Sequence, residues 1–148
     1  MLSISHVATG AFVAAKVSNP FIAIPLILGF HYLEDWIPHW DVGTGLSTGK
    51  RKKRSALIME VIELCIAFGI VFLYWGNRST GIDWWIVFGG VMGIVPDLLE
   101  APRNFLKYEP FWLKPINEFH AQFHHSTPDM LIGLTPQVIL LLIIFLLK

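Results

Sequence analysis

At 148 residues the chain has the length of one domain, and its 54% apolar side chains exceed the roughly 45–50% of a soluble globule, a surplus that needs lipid. Eleven basic and eleven acidic residues cancel, so distribution matters more than net charge. Five of the bases form one run, Lys50-Arg51-Lys52-Lys53-Arg54. Such a run can bind nucleic acid, but between two apolar segments it reads as a cytoplasmic loop, and no nucleic-acid partner is expected. The single Cys65 excludes an internal disulfide and reads as an inert buried thiol in an apolar stretch.

A bilayer core of about 30 Å takes roughly 20 helical residues to cross, and five segments approach that template. The first, residues 3–17, is short and rich in small residues such as Ala8, Gly10, Ala11, Ala14 and Ala15, which allow close helix packing. No Lys or Arg precedes it, so it lacks the charged start of a cleaved signal and is expected to be retained. Asn19-Pro20 turns the chain into the second span, residues 20–40, which is apolar to Phe30 and then polar from His31 to Asp41. A Gly-rich loop and the basic run lead to the third span, residues 55–75, which carries Glu60 and Glu63.

Residues 76–81 turn the chain into the fourth span, residues 82–98, which ends at Pro96-Asp97-Leu98-Leu99-Glu100. Residues 103–129 are too polar to cross, and Pro110, Pro115 and Pro128 break them into short interfacial helices. Residues 130–148 form the last span. The expected fold is therefore all-α: one polytopic membrane domain over residues 1–148, a bundle of about five helices with its interfacial pieces on the cytoplasmic side.

With the basic run inside the cell, Arg103, Lys107 and Lys114 also fall inside, and Lys16, Arg78 and Lys148 outside, eight cations against three. That bias places the chain as a multi-pass protein of the inner (plasma) membrane. The same threading brings all six histidines, His6, His31, His39, His120, His124 and His125, to the cytoplasmic edge, although no histidine entered the count.

Residues four apart share a helix face, so His31 projects with Asp35, and His120 with His124. Pro38 loosens the helix before His39 and Asp41, letting both bend back toward the same point. Asp97 reaches that boundary from the fourth span as a bridging candidate. His6 joins if the first span packs on the second. Mixed imidazole and carboxylate ligation suits Zn, Mn, Fe or Ni, and an oxygen-rich set permits one or two divalent ions. The expected ligands are His6, His31, Asp35, His39, Asp97, His120 and His124. His125, which cannot share a helix face with His124, is the expected general acid or base, with Asp41 beside it in the catalytic set or serving as a further ligand.

A blander reading stands beside this one: an interfacial histidine among aromatics such as Tyr32, Trp36, Trp40, Phe119 and Phe123 is an anchor at headgroup depth. Glu60 and Glu63 lie too deep to snorkel, and read as metal ligands, as acceptors behind the histidine ligands, which is preferred, or as protonated, hydrogen-bonded acids. Ser126 has no nucleophile elbow, and Gly89-Gly90 with Gly93 follows no strand, so serine hydrolysis and phosphate cradling are set aside.

These motifs together, His6 in a small-residue helix, His31-x3-Asp35-x2-Pro38-His39-x-Asp41, Gly93-Ile94-Val95-Pro96-Asp97 and His120-x4-His125-Ser126, resemble small bacterial and archaeal integral membrane proteins. Those proteins are related to the membrane-bound metal-dependent hydrolases, distantly like zinc-dependent phospholipase C. The resemblance implies a metal-dependent hydrolase of phosphoesters. Two positions depart from the hydrolases' Pro-Asp-x-Asp and His-Arg-x-x-Thr-His-Ser: Leu99 stands where the second Asp falls, and Ala121 where the Arg falls. A guanidinium fork is the usual oxyanion partner, leaving Arg103 or Lys107 to substitute.

The expected function is hydrolysis of a phosphoester, such as a lipid headgroup, at the cytoplasmic face, with membrane lipid as surroundings and an amphiphilic phosphoester as substrate. The alternative is a membrane protein that binds or transports a metal or haem without catalysis.

Overall fold

The chain is helical. A computed structural model describes residues 1–46, 48–75 and 81–147, and places in them α1 (Ser3–Lys16), α2 (Pro20–Trp36), α3 (Lys53–Trp75), α4 (Trp84–Gly93), α5 (Val95–Ala101), α6 (Lys114–Phe123) and α7 (Met130–Leu147). A π-helical turn, Pro102–Leu106, follows α5. The residues of the expected turn at 76–80, Arg78 among them, and Lys148 lie outside the described residues.

The expected count of five helices is not met, because the described residues form seven. Two of them, α3 and α7, are long and apolar enough to cross a membrane, and this supports membrane association. The expected fourth span is broken: α4 and the Val95–Leu106 segment pass the same test only as a pair bent by 51°. Pro96 is the cause, since it lacks an amide hydrogen and its ring clashes with the carbonyl four residues back, so the chain leaves the helix at Ile94. Pro38 acts the same way on the second segment, forcing Ile37 into extended backbone and ending α2 at Trp36 rather than at residue 40. At about 1.5 Å per residue, α1 and α2 fall short of the roughly 30 Å hydrocarbon core.

Helix α1 is the hub. It packs against α2, α3, α4 and α7, with Val7, Ala8, Ala11 and Ala14 buried. Its crossing with α4 is closer than most side chains permit: a Cβ at Gly10 would collide with the Gly89 carbonyl, and one at Gly93 with the His6 carbonyl. The outer faces carry Phe21, Leu73, Leu131 and Leu146, all largely exposed, and Cys65, expected to be buried, is exposed on α3, while His6, His31, Asp35, His39, Asn117, His120 and Gln137 are fully buried. Apolar outside and polar inside is the arrangement that lipid favours and water does not.

Two neighbouring helices cap the N-terminus of α1. Glu63 of α3 accepts a hydrogen bond from the Ile4 amide at 3.0 Å, and Glu60 accepts one from the Ser3 hydroxyl. Gln137 of α7 accepts from the Leu2 amide at 2.8 Å and donates to the carbonyls of Trp40 and Gly133 at 2.7 and 2.8 Å. Both glutamates therefore serve backbone and hydroxyl groups that α1 leaves unpaired, not the histidines behind which they were expected. This clamp fixes the end of α1 that bears His6.

Candidate metal centre

The site is assembled around the last turn of α2. His31 and Asp35 lie one turn apart on its inner face, and the extended chain beyond Trp36 brings His39 back to the same carboxylate, 3.7 Å from Asp35 Oδ1. That extension is pinned by main-chain bonds. The His39 amide donates to the His125 carbonyl at 3.0 Å, the Thr127 amide to the His39 carbonyl at 2.7 Å, and the His125 amide to the Asp35 carbonyl at 3.0 Å. Residues 39 and 126 thus pair as a short parallel bridge.

Two groups of side chains share Asp35. In the deeper one, His31 Nε2 and His120 Nε2 are 3.2 Å apart and lie 3.4 and 2.9 Å from Asp35 Oδ2, with Asp97 Oδ1 at 3.9 and 3.6 Å from the two nitrogens. In the outer one, His39 Nε2 and His124 Nε2 are 3.3 Å apart, and Asp41 Oδ2 lies 3.4 and 3.5 Å from them. Ligand atoms of His31, Asp35, Asp97 and His120, and again of Asp35, His39 and His124, lie within 4.8 Å of one another and could hold a metal ion. A tetrahedron with bonds of about 2.0–2.1 Å has edges of roughly 3.3–3.4 Å, inside the range these separations cover.

The ring nitrogens pointing away from the centre are occupied. His31 Nδ1 lies 2.8 Å from the Gly93 carbonyl and His39 Nδ1 2.9 Å from the Ile37 carbonyl. A carbonyl only accepts, so the proton sits on Nδ1 and the lone pair on Nε2 faces the centre. His6 Nδ1 is 2.8 Å from Glu34 Oε2 and His120 Nδ1 3.1 Å from Glu100 Oε2, contacts bent away from linear hydrogen bonds but of ion-pair length. His31 and His39 thus turn lone pairs on Nε2 toward the carboxylate oxygens of Asp35, contacts that repel unless positive charge lies among them. Asp41 Oδ2, buried without any hydrogen-bond partner, shows the same deficit.

His6 stands between the groups, its Nε2 3.2 Å from Asp35 Oδ1 and 3.8 Å from Asp97 Oδ2, with its ring against His31. The Met1 amino group also touches Asp35 Oδ1. Burial opposes a charge on His120, but the carboxylates of Asp35 and Glu100 outweigh it and push the ring up to about 9. His124 shifts the other way, downward, because burial dominates. Asp41 is held below the usual carboxylate range by its contact with His39 despite burial.

The structure thus gathers His6, His31, Asp35, His39, Asp41, Asp97, His120 and His124. It does not gather the side chain of His125, which is exposed and turned to the Phe123 carbonyl at 2.7 Å. Helix α6 stops at Phe123, and in the extended chain beyond it successive side chains alternate, His124 inward and His125 outward. Asp35 is common to both groups, and Asp97, expected as a bridging candidate, joins the deeper one. Arg103 does not face the centre; it pairs with Glu100 and lies 3.6 Å from Glu109. Glu34, Thr9, Gln137 and Asn117, all buried, had drawn no role from the sequence. Gln137 carried a signal, an amide side chain inside the most apolar helix.

A cavity of about 290 Å³ adjoins the site, lined by Asp41, Asp97, Glu100 and His124 and by apolar residues such as Val42 and Phe105. No protein-family model, curated protein or solved structure matches this chain.

Proposed function

We propose that this protein is a membrane-embedded hydrolase that holds two divalent ions, zinc, manganese or iron, with Asp35 as the shared ligand, and cleaves a phosphoester of an amphiphile. One observation carries the reading: buried histidines with their outer nitrogens engaged turn bare Nε2 atoms onto the two oxygens of Asp35, beside a cavity. His31, His120 and Asp97 serve the deeper ion, and His39, His124 and Asp41 the outer one, with His6 beside Asp35. We place the site at the cytoplasmic edge of the inner membrane, with the basic loop on that side, and relate the chain to the membrane-bound metal-dependent hydrolases.

Bound divalent ions lower the pKa of a water toward about 7 and polarise a phosphoryl oxygen. The chain's own residues do the rest. Asp35 sets the spacing of the two positions, Glu34 and Glu100 orient the rings of His6 and His120, and the apolar wall with Val42 and Phe105 accepts the non-phosphate part of the substrate. With Ala121 in place of an arginine and Arg103 paired with glutamates, neither position offers a free guanidinium to a phosphate at the centre.

A carrier that stores or passes metal, or a haem protein, is the competing reading. A cavity beside the ligands favours a substrate, and the carboxylates crowding each imidazole favour hard ions over a porphyrin. Elemental analysis of the detergent-purified protein is the test: two metal equivalents in the wild type, with loss in both His31→Ala and His120→Ala, are expected. A wild type that stays metal-free after incubation with zinc, manganese or iron would end the proposal. Turnover of phosphoester amphiphiles by the loaded protein then separates a catalyst from a carrier.

A further inference from the structure

The five consecutive cations are not a detached loop. Arg51 donates to the Val42 carbonyl at 2.9 Å, its amide donates to the Gly45 carbonyl at 3.0 Å, and its guanidinium lies over the Trp40 ring at 4.9 Å. Lys53 reaches the Phe105 carbonyl at 3.5 Å. Val42, Gly45 and Phe105 all line the cavity at the metal centre, so the basic segment is built into its rim. A topology signal needs charge alone and asks for no such anchoring.

The charge is also uncompensated. Among the described residues none of the five cations lies within ion-pairing distance of a carboxylate, and Lys50, Lys52 and Arg54 are exposed. Inside the cavity acidic side chains predominate: Asp41, Glu60, Asp97 and Glu100 line it with His124 and Met1, and the lining holds no lysine or arginine. Helix α3 enters its apolar span directly after the run, which sets the rim at headgroup depth. Clusters of four or more basic residues at that position attract anionic lipid.

We infer that the segment from Lys50 to Arg54 captures anionic phospholipid headgroups and presents them to the adjoining cavity, which makes an anionic glycerophospholipid the substrate class. Capture follows from the rim itself; presentation as substrate rests on the metal-centre reading above. Arg51 and Lys53 hold the rim against the cavity wall, and Lys50, Lys52 and Arg54 are the contacts offered to phosphate.

Native mass spectrometry of the full chain in detergent, titrated with phosphatidylglycerol and with phosphatidylcholine, tests this alongside metal content. Wild type should prefer phosphatidylglycerol, and the preference should shrink as salt rises. The triple variant Lys50→Gln, Lys52→Gln, Arg54→Gln should lose it, by on the order of a hundredfold for three cations, while metal content stays unchanged. Equal binding of the two lipids by wild type, a preference unaltered in the triple variant, or displacement of the lipid by a short DNA duplex would overturn capture. Lipid preference in a protein that takes up no metal would leave capture standing and overturn presentation. The failure of one reading is thereby separated from that of the other.

Discussion

The two side-chain groups that share Asp35 differ in what surrounds them. In the deeper one the imidazoles of His31 and His120 are sealed, both rings buried and both outer nitrogens against a protein acceptor, the Gly93 carbonyl or Glu100, while its Asp97 reaches the cavity wall. The outer one is half open, with His124 about 29% exposed and Asp41 on the cavity wall. Position along one helix and one extended strand produces the contrast. His31 is a helical residue backed by α4, whereas His39 and His124 lie just past helix ends, on chain held by main-chain bonds and by the Gln137 amide at Trp40. A sealed group tolerates no loss without leaving unpaired polar atoms in the interior, while an open one can be refilled by water. The deeper half is thus a structural element as well as a ligand set.

Asp35 belongs to both halves, and its replacement is the sharpest way to break the comparison. Asp35→Asn keeps the shape but removes the charge, so both ions should be lost together, with turnover falling at least about a thousandfold, as expected when a unit rather than a single contact is removed. Retention of one equivalent by elemental analysis would show that the halves do not share it. Next in size is Gly93→Ala: the added methyl meets the His6 carbonyl and moves the carbonyl that holds His31. It should cost about 1–3 kcal/mol in thermal unfolding and lower metal content in the deeper group first. An unchanged melting curve with full metal would mean that the α1–α4 crossing is loose.

Removing one imidazole from each half sharpens the contrast further. His120→Ala should lower stability and metal together, whereas His124→Ala should remove one equivalent with little change in melting temperature. Reversal of that order would place the sealed half on the wrong side. Acid provides a related test. In the metal-free protein His120 is held up to about 9, so below that pH an ion must displace a proton to bind there. Affinity at the deeper position should therefore rise with pH, by about tenfold per unit for one displaced proton, and level off above pH 9. Isothermal titration across pH 6–9 reads the slope directly, and a flat profile contradicts the assignment of His120.

The sequence made the outer α-helices legible because their apolar runs are long and uninterrupted: residues 55–75 and 130–148 differ from α3 and α7 by at most two positions at either end. Pro38 and Pro96 each shortened a segment that hydropathy alone would carry on, since an apolar window does not register a missing amide hydrogen. At the site, the spacing of His31 with Asp35 sufficed to place both on one face. What the sequence did not reveal was the set of contacts between distant elements: Glu34 behind His6, Glu100 behind His120, and Gln137 tying α7 to Trp40. Each depends on how helices far apart in sequence meet, and none has a spacing of its own. Glu60 and Glu63 show the same limit, since depth in the span announced that they need partners but not that α1 would supply them.

The smallest effect is expected at His125, and it tells backbone from side chain. The main chain there holds both Asp35 and His39 in position, through an amide at 3.0 Å from the Asp35 carbonyl and a carbonyl at 3.0 Å from the His39 amide, while the imidazole faces outward. His125→Ala keeps every one of those main-chain bonds and should leave metal content intact, with stability changed by less than about 0.5 kcal/mol. His125→Pro deletes the amide hydrogen that bonds the Asp35 carbonyl, loosens the segment that carries His124 against α2, and should lower metal content in the outer group. If alanine abolished turnover at full metal loading, the imidazole would be reaching the substrate, and proton transfer would return to the residue that the sequence had proposed for it.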